Sequence, residues 1–238
     1  MHPSLKKIIR PLYMSLRKGR LRQIYHWLVK GHLVKKYIIH RYSKNANPRL
    51  LQVGGGHYTL PGWINGDLIG GEIYLNATAP LPFADESIDR VFAEHFIEHI
   101  TYEAAEGFLS EVFRVMKPGG TLRLATPDLE KLCALYRGDN EFVDMQTVID
   151  RHSKNHSRKV PTSAHFMNDI FRLWGHQFIY DFQAMQTQLN NAGFQATLRV
   201  SFGESEDPLL HDLERHADTE WMKEGFQLII ETHKPTAQ

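Results

Sequence analysis

Three short stretches of this chain hold residue types at spacings that could do chemistry. The first is Leu50-Leu51-Gln52-Val53-Gly54-Gly55-Gly56-His57. Glycines placed directly after an apolar strand let the backbone turn tightly and approach a ligand where a side chain would collide, although a plain tight turn uses the same residues. A pyrophosphate-binding loop would continue as G-x-G-x-x-G into a long helix. Here position 59 is Thr, and Pro61-Gly62 follow too soon, so that chemistry is disfavoured. The second stretch is Gly62-Trp63-Ile64-Asn65-Gly66-Asp67. An aspartate ending a second strand opposite a glycine loop can accept both hydroxyls of a ribose through its two carboxylate oxygens; an exposed turn aspartate is the alternative. The third is Glu94-His95-Phe96-Ile97-Glu98-His99, which offers carboxylates and imidazoles for proton transfer or ligation.

The chain has 14 histidines, and on a helix His95 and His99 would share a face at i and i+4. The zinc-protease pattern is H-E-x-x-H, with the acid just after the first histidine. Glu94 instead precedes His95, and no third ligand can be nominated from sequence, so no metal is expected.

These residues need elements to hold them. Residues 49–53, 63–69, 73–76, 88–93, 121–126, 195–202 and 226–233 read as seven strands. The clearest helix runs over 102–117, with Ala105, Phe108, Leu109, Val112, Phe113 and Met116 on one stripe, and Pro118-Gly119-Gly120 ends it. A polar helical stretch fills about 128–175, and another helix spans 181–193. Arg151, Lys154, Arg158 and Lys159, with His152 and His156, read as a basic loop. It is solvated or, as a lid, meets an anionic acceptor. Strands alternating with helices call for a mainly parallel α/β sheet covered on both faces, with ligands beyond the carboxyl ends of the strands.

The order of the pieces is more specific than any one of them. The glycine loop, Leu81-Pro82-Phe83, Asp89 opening the fourth strand, Glu94-His95-x-x-Glu98-His99 and Arg114-Val115-x-Lys117-Pro118-Gly119-Gly120 resemble the class I S-adenosylmethionine-dependent methyltransferases of the type 11 group over about residues 49–235. Gly62-Trp63-Ile64-Asn65-x-Asp67, residues 123–128, Gly175-His176 and residues 202–205 look like a bacterial subfamily associated with cell-surface polysaccharide genes. The resemblance implies a Rossmann-like three-layer sandwich, its seven-stranded sheet mostly parallel with the last strand antiparallel. It implies S-adenosylmethionine as cofactor, contacted by Gly54, Gly55, Gly56, Asp67, Asn76, Glu94 and His95. Gln52, Tyr58 and Asn76 depart from the family pattern, and the short spacing from Gly54 to Asp67 points to a truncated first crossover helix.

Methyl transfer to oxygen needs an in-line nucleophile and a base for the hydroxyl proton. His95 and His176 are the candidates. The expected activity is O-methylation of a sugar or glycan-precursor hydroxyl. The alternatives are an inactive methyltransferase-like binding module held at a membrane or a partner, and an RNA methyltransferase; nucleic acid is the less expected partner because no RNA-binding module is recognised and the main domain is acidic.

Charge divides the chain. Of 238 residues, 28 are Lys or Arg and 27 Asp or Glu, for a net charge of +1. Residues 1–66 nonetheless hold thirteen basic side chains and no acid, which leaves a balance of minus twelve for the remainder. Residues 1–48 therefore read as a basic amphipathic helical extension, and 49–238 as the catalytic domain. Residues 1–45 could touch an anionic membrane or dock on the acidic stretch 204–224. The single cysteine, Cys133, excludes an internal disulfide framework and points to a reducing compartment. No apolar run is long enough to span a bilayer, and Arg10, Pro11 and Arg17 interrupt any signal-peptide core. A cytoplasmic location is expected, possible contact with the inner membrane face included.

Overall fold

A computed structural model describes residues 35–157, 159–217 and 220–236. Helix α1 (Lys35–Asn45) leads into β1 (Leu50–Val53), β2 (Ile64–Asp67), β3 (Ile73–Tyr74) and β4 (Ile88–Glu94). A 3₁₀ turn (Ile97–His99) precedes α2 (Tyr102–Val115), β5 (Met116–Pro127), α3 (Leu129–Arg137), α4 (Met145–Asn155) and α5 (Ser163–Arg172). A second 3₁₀ turn (Leu173–Gly175), α6 (Phe182–Asn191), β6 (Gln195–Arg199), α7 (Glu220–Glu224) and β7 (Gln227–His233) follow. The strands form one sheet in the order β3-β2-β1-β4-β5-β7-β6. All pairings are parallel except those of β7, which runs antiparallel to β5 and β6.

Alternation along the strands divides the sheet's two faces. Leu51 and Val53, Val91 and Ala93, Leu122 and Leu124, and Leu228 and Ile230 join the main core with α2 and α6. The helix stripe that meets them is Ala105, Phe108, Leu109, Val112 and Val115, and Thr101 caps α2 by accepting from the Ala104 amide. The next residues along, Gln52, Phe92, Glu94, Arg123 and Glu231, occupy the opposite face and are all buried. Helices were expected there too. Instead Leu60 and Trp63 from the β1–β2 connection and Leu210 and Leu213 from the segment after β6 pack on Leu50 and Phe92. Residues 54–63 contain no helix, so β1 passes to β2 through a loop.

Arg123 fastens that second face. Its Nε lies 2.6 Å from Glu214 Oε1 and its Nη1 2.5 Å from Glu231 Oε1, while Nη1 also donates to the Glu204 carbonyl. All three side chains are buried. Segment 201–216 is thereby held across the carboxyl half of the sheet, using Glu214, one of the acids that the sequence left open as a docking surface for the arm. Asp207 is similarly paired with Arg90.

Beyond the carboxyl edge, α3, α4 and α5 build a second apolar cluster around Leu132, Leu135, Val148, Phe166 and Ile170. The basic stretch begun by Arg151 is thus helical through Asn155, with His152 buried, rather than a loop. Residues 1–34, which contain most of the expected amphipathic extension, lie outside the described residues. The final part of that extension packs on the domain: Ile38, Ile39 and Tyr42 meet the core, and the Tyr42 hydroxyl donates to the Leu50 carbonyl at 2.9 Å.

Candidate functional site

The glycine loop and Asp67 meet as neighbours because β1 and β2 are paired in parallel, Val53 opposite Gly66. Asp67 Oδ2 accepts from the Gly56 amide at 3.0 Å, and Oδ1 accepts from Ile69 and Gly70 amides at 2.7 and 2.8 Å. Gly54 and Gly56 have φ of +72° and +55°, the left-handed region that glycine enters without a Cβ clash. A Cβ on Gly54 would lie 2.7 Å from Phe96, whereas a Cβ on Gly56 would meet nothing within 4 Å, so the loop has a closed side and an open one. Gly55 sits over the Gln52 amide, and the buried Gln52 Oε1 has no hydrogen-bond partner.

Two other expected contacts are engaged elsewhere. Asn76 is exposed and its Oδ1 accepts from the Thr78 amide and hydroxyl. Glu94 ends β4 but faces segment 201–216: Oε1 accepts from the Arg215 amide at 2.9 Å and the His216 amide at 3.0 Å, and Oε2 lies 2.9 Å from His216 Nδ1. Burial opposes ionisation of Glu94, but the His216 contacts outweigh it and hold its carboxyl below the ordinary range.

Past Glu94 the chain does not form the continuous helical face that the sequence predicts. His95 has φ of +47°, and Ile97–His99 is one 3₁₀ turn. This sharp bend puts His95 and Glu98 in contact, Nδ1 to Oε1 at 2.9 Å, while Glu98 Oε2 accepts from the Thr126 hydroxyl at 3.0 Å. Burial favours the neutral form of His95; the hydrogen bond and charge of Glu98 more than offset that, and its pKa is raised. For His99 burial dominates and lowers it.

His95 opens into a cavity of about 510 Å³ over the carboxyl ends of β4 and β5. His99, His152, His156, His176 and His216 also line it, with Arg151, Trp174, Phe166 and Phe226. His95 and His176, 81 positions apart in sequence, thus face one space. Gly54, Gly55, Gly56, Asp67 and Asn76 are not among its lining residues. Trp174 has φ of +61°, a strained backbone for a large side chain, and its ring lies 5.1 Å from that of His156 and 5.6 Å from that of His176. His216 and Trp174 were missed from sequence because neither belongs to a periodic pattern. His152 and His156 carried a signal, since an i,i+4 pair on a helix shares a face.

Residues 65–124, which run from β2 through α2 into β5, match the model of the methyltransferase domain family. No curated protein matches the chain. Among solved structures, an S-adenosylmethionine-dependent methyltransferase from Archaeoglobus fulgidus aligns at 17% identity over 95% of this chain and 99% of its own, with a TM-score of 0.46. A methyltransferase of the same cofactor class from Thermotoga maritima aligns at 17% identity over 87% and 99%, TM-score 0.45. A phosphoethanolamine N-methyltransferase from Haemonchus contortus, in complex with S-adenosylhomocysteine and phosphomonomethylethanolamine, aligns at 11% identity over 91% of this chain and 57% of its own, TM-score 0.45.

The β1–β2 edge fits S-adenosylmethionine. The open face of Gly56 admits a ligand against the backbone, and the unpartnered Gln52 Oε1 beneath the loop is an acceptor awaiting a donor. Asp67 Oδ2, with one amide donor, keeps a lone pair for a hydroxyl. The family match begins in β2 and so takes in Asp67 but neither β1 nor the glycine loop, and the sheet is seven-stranded with β7 antiparallel, as the resemblance implied. Over residues 65–124 the chain thus carries the pattern of the methyltransferase domain family.

Proposed function

We propose that the chain methylates a hydroxyl of a sugar or glycan precursor seated in the histidine-lined cavity. S-adenosylmethionine supplies an electrophilic methyl group on a sulfonium. The chain's own part is to hold the cofactor at Gly54, Gly55, Gly56 and Asp67, to keep water out, and to take the hydroxyl proton. Asn76 and Glu94 are second-rank cofactor contacts, because both are committed to bonds within the protein.

The observation that carries the reading is the His95–Glu98 pair. With Nδ1 fixed on a buried carboxylate, His95 presents Nε2 to the cavity as the proton acceptor. The charge that develops on the ring is stabilised by Glu98, in the manner of a base oriented by a third group. His176 gives its Nδ1 to the Ile170 carbonyl at 2.5 Å and stands beside His99, so it is better placed to bind than to shuttle a proton. A sugar is favoured by Trp174, an exposed aromatic face at the mouth, and by Arg151 on the rim, which suits an acceptor carrying a phosphate or carboxylate.

Labelled S-adenosylmethionine added with purified protein to cell extract, then fractionated into glycan, lipid, RNA and small molecules, tests the assignment. Label in the glycan or nucleotide-sugar fraction is expected. Label confined to RNA or lipid would overturn the acceptor class.

A further inference from the structure

The 3₁₀ turn that delivers Glu98 to His95 also delivers His99 to His176, and the result is a converging set of donors. One ligand atom from each of Glu98, His99 and His176 lies within 4.8 Å of the other two. Around a tetrahedral ion with bonds of about 2.1 Å, ligand atoms sit roughly 3.4 Å apart, so side-chain shifts of about an ångström close this set on an ion. No metal was expected from the sequence because His95 and His99 lack the zinc-protease order and a third ligand was missing. His176, 77 positions downstream of His99, supplies it.

The outer contacts are those that a ligating imidazole needs. A metal-bound histidine ordinarily gives its other ring N–H to a backbone carbonyl or a carboxylate, which fixes the tautomer. His176 Nδ1 lies 2.5 Å from the Ile170 carbonyl, leaving Nε2 with its lone pair. The His99 and His176 rings are 4.7 Å apart between centroids at 71°. The Ile170 carbonyl belongs to the last turn of α5, and the second 3₁₀ turn that follows, with its strained Trp174, carries the chain back to bring His176 to it. Glu98 is fully buried, its carboxylate taking one contact from His95 and one from Thr126. Four lone-pair sites leave it capacity for an ion.

We infer that Glu98, His99 and His176 form a binding site for one divalent transition-metal ion. Two imidazoles and a carboxylate select borderline ions such as Zn²⁺, Co²⁺ or Fe²⁺ over Ca²⁺, and a three-ligand set leaves coordination positions for water or an acceptor oxygen. Ion binding stands independently of the methyl-transfer reading; a part in orienting the acceptor hydroxyl rests on that reading.

Chelator-treated full-length protein titrated with Zn²⁺, and separately with Co²⁺ followed by visible absorption, tests the site. One equivalent bound by the wild type is expected, with at least tenfold weaker binding in His99→Asn and His176→Asn and none of that loss in His211→Asn, an exposed histidine. Thermal unfolding of each variant checks that it is folded. Should the variants not fold, Co²⁺ added to the wild type is expected to broaden the imidazole resonances of His99 and His176 selectively. Absence of stoichiometric binding by the wild type, equal affinity in both folded variants, or broadening elsewhere would overturn the site, whatever the fate of the methyltransferase assay.

Discussion

His216 Nδ1 lies 2.9 Å from Glu94 Oε2, and through this pair the segment after β6 is pinned to the end of β4. The Arg215 and His216 amides donate to the same carboxylate, so Glu94 holds the segment three times over at the rim of the cavity. Its pKa is lowered in the folded protein, so its contribution is fully present above the ordinary carboxylate value and is lost as pH falls through the lowered one. Glu94→Gln is expected to cost roughly 1.5–3 kcal/mol at pH 7, the worth of hydrogen bonds to a charged acceptor. Denaturant unfolding of both proteins across pH should show that gap closing in strong acid; a gap independent of pH would contradict it.

Asp67 joins the proposed cofactor edge to the glycine loop, so its replacement is expected to act twice. Asp67→Asn retains the shape but loses the charge that receives amides from Gly56, Ile69 and Gly70. Calorimetry should show S-adenosylmethionine affinity reduced about tenfold or more, in line with roughly 1.5–3 kcal/mol for a charge-assisted bond. Gly54→Ala should do worse, because φ is +72° and the new Cβ would strike Phe96 at 2.7 Å.

Arg123 presents a test of stability separate from the site. Arg123→Met leaves Glu214 and Glu231 buried without their partner, and is expected to cost about 3–5 kcal/mol. Replacing all three with apolar residues of similar volume should recover much of this in thermal unfolding, since a buried ion cluster offers little net stability over well-packed apolar side chains. A triple variant as unstable as the single one would show that the hydrogen bonds from Arg123 to the Glu204 and Ser201 carbonyls dominate instead.

The legible parts of this chain were those set by local pattern. The α2 stripe, the strands β4 and β7 and the helix stop ahead of Pro118-Gly119-Gly120 could all be read, because period and punctuation reveal element type, although the structure carries those three residues inside β5. Gly120 shows why this stretch, where β5 shifts register against β4, is so restricted: a Cβ there would lie 2.9 Å from the Lys117 carbonyl and 3.0 Å from that of Asp89. What stayed hidden was tertiary. Arg123 sits in an apolar strand pattern and gives no local sign that Glu214 and Glu231 will meet it, 91 and 108 positions away. The Glu94–His99 stretch was misread as one helical face because its geometry depends on a positive φ at His95, which nothing in its residue types announces. His216 and Trp174 reach the cavity from a loop and a tight turn, beyond the reach of any periodicity.

If His95 takes the acceptor proton, His95→Asn should lower kcat by about 10²- to 10⁴-fold, the usual range for a general base, with S-adenosylmethionine affinity nearly unchanged. Glu98→Gln acts through His95 as a positioning change. It should reduce kcat while leaving the acceptor KM within a few-fold, and the pH–rate profile of the surviving activity should shift, because the carboxylate that raises the His95 pKa is gone. Steady-state kinetics on the acceptor found by labelling decides this, and wild-type kcat in His95→Asn would remove His95 from the chemistry.

The basic arm makes a prediction of its own. Acid-free residues 1–34 lead into α1, where Lys35, Lys36 and His40 line a cavity of about 720 Å³ with Arg49. Among the described residues no helix is long and apolar enough to cross a membrane. Each basic side chain close to an anionic bilayer contributes about 1 kcal/mol, and the arm carries enough of them for half to suffice. The cut must spare α1, because Tyr42 hydrogen-bonds the Leu50 and Gly62 carbonyls and Ile38 and Ile39 pack on the core. Removal of residues 1–34 is therefore expected to abolish sedimentation with phosphatidylserine-containing vesicles at 0.1 M salt while leaving the unfolding temperature and S-adenosylmethionine affinity of the domain in place. Vesicle binding that survives the truncation, or that is equally strong on neutral vesicles, would assign the arm's charges to another partner.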